Sequence, residues 1–188
     1  MIEMKNFKES FLAWAEKKVE EWARLYNLKE WPKVHVVADE LLDPKEYIAF
    51  FIVPGIKHSG IYGPAIVFPY SYLEYLYNNA VKHGKLDILW NYLKWTLAHE
   101  FSHYLRTLNP QSAISEFITG LPITTPREIL RETVRRMEIA ASTRAFFLAG
   151  KTRARHNFEF YEITGETQLQ YLRKKYGEER LKKEIGVF

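Results

Sequence analysis

Residues 86–108 read LDILWNYLKWTLAHEFSHYLRTL and combine two patterns on one predicted helix, which we place at residues 87–108. One side of this helix is an apolar stripe that consists of Leu86, Leu89, Trp90, Leu93, Leu97, Tyr104 and Leu108. His99 and His103 project more than about 100° away from the centre of that stripe. The sequence therefore predicts a helix with two occupied faces, which ends before Asn109-Pro110.

The pentapeptide His99-Glu100-Phe101-Ser102-His103 has the HExxH pattern. Histidines four positions apart lie side by side on a helix, so both imidazoles can bind one metal ion. The carboxylate of Glu100 lies beside them, where it can take a proton from metal-bound water as a general base. We predict Zn²⁺ as the cofactor, the two histidines as ligands and Glu100 as the catalytic residue. The alternative interpretation is two core or surface histidines that are four apart by chance.

A catalytic zinc ion usually has three protein ligands and one open position, so a third ligand is expected outside the pentapeptide. The chain has no cysteine, which leaves His, Asp and Glu as ligand types. A helix predicted over residues 126–149 turns one face inward, formed by Leu130, Val134, Met137, Ala141 and Leu148. Glu138 lies at the edge of this face, and small neighbours such as Ala141 and Ala145 let two helices approach closely.

Glu138 is therefore the predicted third ligand. Glu116, in the segment between the two helices, and His156 are the alternative ligands. If Glu138 binds no metal, we expect a partly buried carboxylate paired with Arg135 or Arg144.

The remaining sequence predicts one domain of mixed structure. A chain of 188 residues with 47% hydrophobic residues is long enough for one sizeable core. Helical periodicity covers residues 6–28, 71–81, 87–108, 126–149, 166–176 and 178–185, and β-rich runs cover 34–38, 47–53 and 65–68. These elements predict an α+β fold.

Local residues predict where several helices begin and end. Capping-box spacing at residues 71–74 and at 125–128 predicts two helix starts. Gly84 and Gly150 predict the ends of those helices. The segment 107–125 is long and carries no clear pattern, and links of that kind are often functional or partly folded.

An HExxH helix followed by a glutamate helix resembles the zincin metallopeptidases, and among them the gluzincins. The chain looks most like their small single-domain members, the minigluzincins, over about residues 47–149. The resemblance implies a zincin-like fold, in which a small twisted, mostly antiparallel-edged sheet packs on an active-site helix and further helices form the other side of a cleft. Residues 1–188 would then form one domain, with an N-terminal helix within 1–30, a zincin core over 34–149 and a C-terminal helical extension over 150–188.

The resemblance also implies a function. It makes the protein a zinc metallopeptidase that hydrolyses peptide bonds, with His99, His103 and Glu138 as metal ligands and Glu100 as the base. A polypeptide would be the substrate, held in extended form along residues 65–68 as an edge strand. An intact Glu100 argues against a purely structural metal site, which needs no base.

Two features depart from the larger gluzincins. Some of those enzymes carry an Asp after the ligand Glu that orients a ligand histidine, whereas residues 139–142 here are Ile, Ala, Ala and Ser. Support for the histidines must therefore come from elsewhere. The family also stabilises the oxyanion with a Tyr or His, and His156 and Tyr161 are candidates by chemical type only. The alternative for both is an ordinary place in a surface connection.

The charge of the chain is uneven and suggests a second function class. Residues 127–188 hold 14 basic and 9 acidic residues, whereas the whole chain has a net charge of +4. The residues least balanced by acids are Arg153, Arg155, Arg173, Lys174 and Lys175. A nucleic-acid-associated or regulatory zinc-binding protein with a basic C-terminal surface is therefore the alternative to a peptidase.

Two further expectations concern regulation and location. The segment 167–188 extends beyond the expected catalytic core, so autoinhibition by this segment across the cleft is a hypothesis. Charged residues interrupt the N-terminal helix, and Gly and Pro interrupt the uncharged stretch at residues 58–73. Neither pattern is that of a secretory signal or a membrane span, so we expect a cytoplasmic protein without membrane contact.

Overall fold

The computed structural model describes residues 4–42, 48–118 and 127–177. The first helix, α1, spans Met4–Leu25, in agreement with the helix predicted over residues 6–28. Its buried face repeats at intervals of three or four residues and consists of Phe7, Phe11, Ala15, Val19, Trp22 and Ala23. This face packs into the main hydrophobic core of the molecule.

The strands form two small sheets. In the first, β1 (Lys33–Val37) runs parallel to β5 (Ala65–Pro69), and β2 (Phe50–Ile52) runs antiparallel to the other side of β5. In the second, β3 (Lys57–His58) pairs with β4 (Ile61–Tyr62). The larger sheet is therefore mixed, with one parallel and one antiparallel edge, whereas a mostly antiparallel-edged sheet was predicted.

The prediction that residues 65–68 form an edge strand was wrong. These residues belong to β5, which lies between β1 and β2 in the sheet order β1-β5-β2. All five residues of β5 are buried, as expected of a strand covered on both faces and both edges. The run predicted over residues 47–53 contains β2, and Tyr47 lies outside the described residues.

The second helix, α2 (Tyr70–His83), begins differently from the prediction. Ser71 already lies inside the helix and does not cap it. Instead, its backbone N–H donates to Asp39 Oδ1 at 3.1 Å, and its hydroxyl donates to Asp39 Oδ2. Strand β5 leads straight into α2 through Pro69, so a distant carboxylate satisfies the orphan amide. Gly84 ends the helix as predicted, with the left-handed φ of 65° that glycine tolerates.

The central element is α3 (Leu86–Thr107), which was predicted over residues 87–108. It packs against α1, α2 and both β2 and β5, and against three helices that follow it in the chain. Those helices are α4 (Pro110–Ile118), α5 (Arg127–Ala149) and α6 (Arg153–Thr164). A last described helix, α7 (Gln168–Tyr176), packs on α6.

The predicted helices of the second half of the chain are partly confirmed. Helix α5 agrees with the prediction for residues 126–149, and α7 with that for 166–176, whereas the capping box at 125–128 and the helix at 178–185 extend outside the described residues. The segment 107–125 contains α4. His156 and Tyr161, for which a place in a surface connection was the alternative prediction, both lie on the helix α6. The α+β class is confirmed, and none of the described helices combines the length and hydrophobicity needed to cross a membrane.

Candidate metal centre

Both faces of α3 are buried around the HExxH pentapeptide. His99, Glu100 and His103 are each at most 9% exposed, although they lie away from the apolar stripe. Helix α5 covers them, since α3 and α5 have the most extensive contact between any two described elements. Ala141 and Ala145 of α5 are fully buried, which allows the close helix approach that the sequence predicted.

The structure brings the three predicted ligands together. His99 Nε2 lies 3.1 Å from Glu138 Oε2, and His103 Nε2 lies 3.5 Å from Glu138 Oε1. The two Nε2 atoms are 3.2 Å apart. Zinc binds nitrogen and oxygen ligands at about 2.0–2.2 Å, so the edges of a tetrahedral site measure about 3.3–3.6 Å. The three distances are close to these edges, but the two histidines face different oxygens of Glu138. One ligand atom from each of the three residues lies within 4.8 Å of the others, so the cluster could hold a metal ion.

The outer nitrogen of His103 faces a carboxylate. His103 Nδ1 lies 3.0 Å from Glu116 Oε2, and Glu116 is 3% exposed. The guanidinium of Arg106 donates through Nε to the other oxygen of Glu116. A carboxylate in this position fixes the tautomer, so that Nδ1 carries the proton and Nε2 is left for a metal ion. Glu116 therefore orients a predicted ligand and is not itself in the cluster, which corrects its standing as an alternative third ligand.

The outer nitrogen of His99 faces a neutral group. Ser142 Oγ lies 3.4 Å from His99 Nδ1, one helical turn after Glu138 on α5. The imidazole also stacks on Trp95, with ring centroids 5.2 Å apart. Trp95 is held in turn because its indole N–H donates to the backbone oxygen of Lys151 at 3.1 Å.

The charges around the cluster favour a cation at its centre. Burial lowers the pKa of His103, but the hydrogen bonds to Glu116 and Glu138 outweigh this effect and raise it. Burial raises the pKa of Glu138, yet its contacts with His103 and His99 hold it below the ordinary value. Burial lowers the pKa of His99, so positive charge is stabilised beside Glu116 and Glu138 and not on His99.

Glu100 lies in a different environment from Glu138. Burial raises the pKa of Glu100 to about 8; the charge of His103 opposes the shift, and the carboxylates of Glu138 and Glu116 add to it. A carboxyl group with a raised pKa in a cleft is typical of a proton-transfer group. The structure therefore places the carboxyl group of Glu100 beside the predicted ligands. Because a base needs the ionised form, a cation bound by those ligands would have to lower this pKa.

Two alternative predictions, His156 as a ligand and an ion pair of Glu138 with an arginine, can also be compared with the structure. His156 is buried on α6 and its Nε2 lies 3.0 Å from Thr96 Oγ1, so it is not part of the cluster. Within the described part of the chain, no ion pair joins Glu138 to Arg135 or Arg144; Arg135 lies 3.9 Å from Glu132 instead.

A pocket adjoins His99 and Glu100 on the side of α6. Its lining consists of Ile48, Ala49, Trp95, Thr96, His99, Glu100, Arg153, His156, Asn157 and Gln168. His156 stacks between Tyr92 and Trp95, with centroid distances of 4.2 Å to each. Of the two predicted oxyanion-stabilising residues, His156 therefore lies at the pocket. Tyr161 is 51% exposed and is not among the lining residues.

The basic residues singled out for nucleic-acid binding mostly have acidic partners. Arg155 lies 3.1 Å from Glu162, Lys175 lies 3.3 Å from Asp39, and Lys174 contacts Glu166. These contacts balance much of the local charge. Binding of nucleic acid stays a prediction.

Sequence reasoning missed the supporting residues of the cluster and the polar wall of the pocket. Ser142 could have been found, because it follows Glu138 by one helical turn and must share its face. Glu116 was named in the wrong role, since nothing in the sequence shows that its segment folds back onto His103. Trp95 precedes His99 by four positions, a spacing that predicts contact on a helix.

Comparison with protein-family models, with curated proteins and with solved structures found no match. The resemblance to zincins therefore depends on the residues and geometry described above.

Proposed function

We propose that this protein is a zinc-dependent metallopeptidase with Glu100 as its general base. The observation that carries the proposal is the close grouping of ligand atoms from His99, His103 and Glu138 next to the buried carboxyl group of Glu100. Neither the ligand cluster nor the carboxyl group would by itself be sufficient to propose a hydrolytic enzyme. Together they supply a three-ligand site and a base, the set that hydrolytic zinc enzymes need.

The donor set favours zinc over other metals. Two imidazoles and one carboxylate are typical of a catalytic zinc site, whereas calcium and magnesium prefer oxygen ligands only. Non-haem iron also uses two histidines and a carboxylate, and metal analysis of the purified protein distinguishes the two metals.

The residues of the chain have distinct tasks in the proposed reaction. When bound, zinc would polarise the scissile carbonyl and make the attacking water more acidic. Glu100 accepts the proton of that water and delivers it to the leaving amine. Glu116 and Ser142 keep the two histidines oriented. His156, in the wall of the adjoining pocket, is the candidate donor to the oxyanion.

A polypeptide substrate fits the sheet next to the pocket. Strand β2 pairs with β5 on one side, and the strands of the described residues leave its other side unpaired. Ile48 and Ala49, which directly precede β2, line the pocket beside His99 and Glu100. An extended chain added to β2 would run past the cluster, a role for β2 in place of the one first predicted for residues 65–68.

The experiment combines metal analysis with cleavage of an unbiased peptide mixture, read by mass spectrometry. Wild type should hold close to one zinc per chain and cleave. Glu100→Gln should keep the zinc and lose cleavage by at least about 100-fold, because proton transfer by a positioned side chain contributes 10²–10⁴-fold. Glu138→Ala should lose the zinc. The control Glu132→Gln changes an exposed glutamate of the same helix and should behave as wild type.

Two outcomes would contradict the proposal. Wild type that binds no zinc after supplementation would disprove the metal site, and an active Glu100→Gln would disprove the base. The segment predicted to autoinhibit, residues 167–188, includes α7, which packs on α6. The same assay on a chain ending at Gly177 tests the remainder, residues 178–188, which lie outside the described residues. That end point keeps Tyr171, which is buried against Tyr75 and Phe160, so the core is retained.

A further inference from the structure

The pocket beside His99 and Glu100 has a polar wall that the proposed reaction does not fully use. Arg153 and Asn157 lie four positions apart on α6, so their side chains share one face of the helix. His156 lies between them in sequence and also lines the pocket. One wall therefore presents a guanidinium, an amide and an imidazole.

Arg153 differs from the basic residues next to it. Lys151 contacts Glu159, and Arg155 pairs with Glu162, so the neighbouring cations are balanced by carboxylates. Arg153 is in no ion pair with residues 4–42, 48–118 or 127–177. Glu100 is the acidic member of the lining set, and its task is proton transfer. Arg153 thus contributes an unbalanced positive charge to the pocket.

His156 provides a second, independent observation. Its side chain is buried, with 4% exposed, and its Nδ1 makes no hydrogen bond of normal geometry to the described residues, although the side chain of Asn157 is near enough to interact with the imidazole. A buried polar atom without a partner costs free energy that a bound ligand can recover. The single proton of the Thr96 hydroxyl has two acceptors in reach, His156 Nε2 at 3.0 Å and the backbone oxygen of Tyr92 at 3.3 Å. When it is donated to the nearer Nε2, Nδ1 carries the imidazole proton and can donate to an oxygen atom of a ligand.

We propose that this pocket binds a carboxylate group of the polypeptide substrate, with Arg153 as the specificity-determining residue and His156 and Asn157 as further donors. The inference rests on the proposed peptidase function, because the pocket adjoins its metal cluster. The carboxylate belongs either to the C-terminus of the substrate or to an Asp or Glu side chain near the scissile bond. Arginine suits both, since its planar fork donates two parallel hydrogen bonds to a carboxylate.

The test measures binding and cleavage separately. Binding is measured by calorimetry on zinc-loaded and zinc-free Glu100→Gln protein, with four hexapeptides of otherwise identical sequence. Two carry a central Gln and end in a free carboxylate or an amide. Two carry a central Glu with the same two ends. A preference for the free C-terminus identifies a carboxypeptidase-like site, and a preference for Glu in the amidated pair identifies an acidic side chain.

At least one carboxylate should improve binding about 10- to 100-fold over the neutral peptide, the range of a charge-assisted hydrogen bond. Adding Arg153→Ala should abolish that preference, and Arg153→Lys should keep part of it. The matched control is Arg173→Ala, which removes an exposed arginine of α7 outside the pocket and should keep the preference. Equal binding of all four peptides, or a preference that survives Arg153→Ala, overturns the inference.

Failure of this inference can be distinguished from failure of the proposed function. If wild type cleaves the neutral peptide as fast as the acidic ones, the peptidase is retained and the carboxylate site is wrong. If the preference is found on zinc-free and zinc-loaded protein alike but wild type cleaves nothing, the carboxylate site is retained and the peptidase is wrong.

Discussion

The two histidines of the cluster are held in different ways. His103 has a buried carboxylate, Glu116, at 3.0 Å from its outer nitrogen, and Arg106 holds that carboxylate in place. The outer nitrogen of His99, Nδ1, lies 3.4 Å from the hydroxyl of Ser142, beyond the usual range of a strong hydrogen bond. The imidazole of His99 also stacks on the indole of Trp95. One imidazole is oriented by charge and the other mainly by packing.

The difference matters because the two kinds of support act on different properties. A carboxylate partner fixes the tautomer and makes the inner nitrogen a stronger ligand. Stacking fixes the plane of the ring but adds little to its basicity. We therefore expect His103 to contribute more to metal affinity than His99, and the supporting residues allow this to be measured without touching a ligand.

The largest effect is expected from removing the partner of His103. Glu116→Ala should lower zinc affinity by about 10- to 100-fold, the range found for lost outer partners of metal-bound histidines. It should also destabilise the fold by about 3 kcal/mol, because Arg106 loses its carboxylate in a largely buried position. Competition with a zinc chelator and denaturant unfolding provide the two measurements.

Matched variants separate these two effects. Glu116→Gln keeps an acceptor for His103 but not the charge, so its zinc affinity should lie between wild type and Glu116→Ala. The exposed Glu132, which pairs with Arg136, serves as the control, and Glu132→Ala should leave both measurements unchanged. If Glu116→Ala bound zinc as tightly as wild type, the carboxylate would not support His103 better than stacking supports His99.

A smaller loss is expected from removing the stacked ring beside His99. Trp95→Leu should lower zinc affinity by about 2- to 10-fold, which corresponds to the 0.5–1.5 kcal/mol of an aromatic pair. Trp95→Phe keeps a ring in place but loses the hydrogen bond to Lys151. It should therefore retain most of the affinity. Equal losses in both variants would show that the indole N–H, and not the ring, positions His99.

The sequence was sufficient for the parts of the site that depend on helical spacing. His99, Glu100 and His103 are brought together by one turn of α3, and Glu138 follows from the inward face of α5. Such periodicity is local, so it can be read before any tertiary contact is known. The same holds for the ends of α2 and α5, where Gly84 and Gly150 adopt left-handed backbone conformations.

The parts that were wrong depend on contacts between distant segments. The central place of β5 follows from a parallel pairing with β1, which lies about thirty residues earlier and leaves no local pattern. Helix α6 was not recognised because its inward positions include His156 and Glu159, which break the apolar periodicity. Its N-cap, Thr152, was a visible indication, since its side chain accepts from the backbone of Arg155.

The smallest effect is expected at Ser142, the neutral partner of His99. Ser142→Ala should lower zinc affinity by only about twofold, because a long hydrogen bond between neutral groups contributes at the low end of about 0.5–1.5 kcal/mol. Ser142→Asp should act in the opposite direction and raise the affinity, since it gives His99 the kind of partner that His103 already has. Competition with a zinc chelator measures the zinc affinity of both variants. A loss at Ser142→Ala as large as that at Glu116→Ala would mean that the hydroxyl orients His99 as firmly as the carboxylate orients His103.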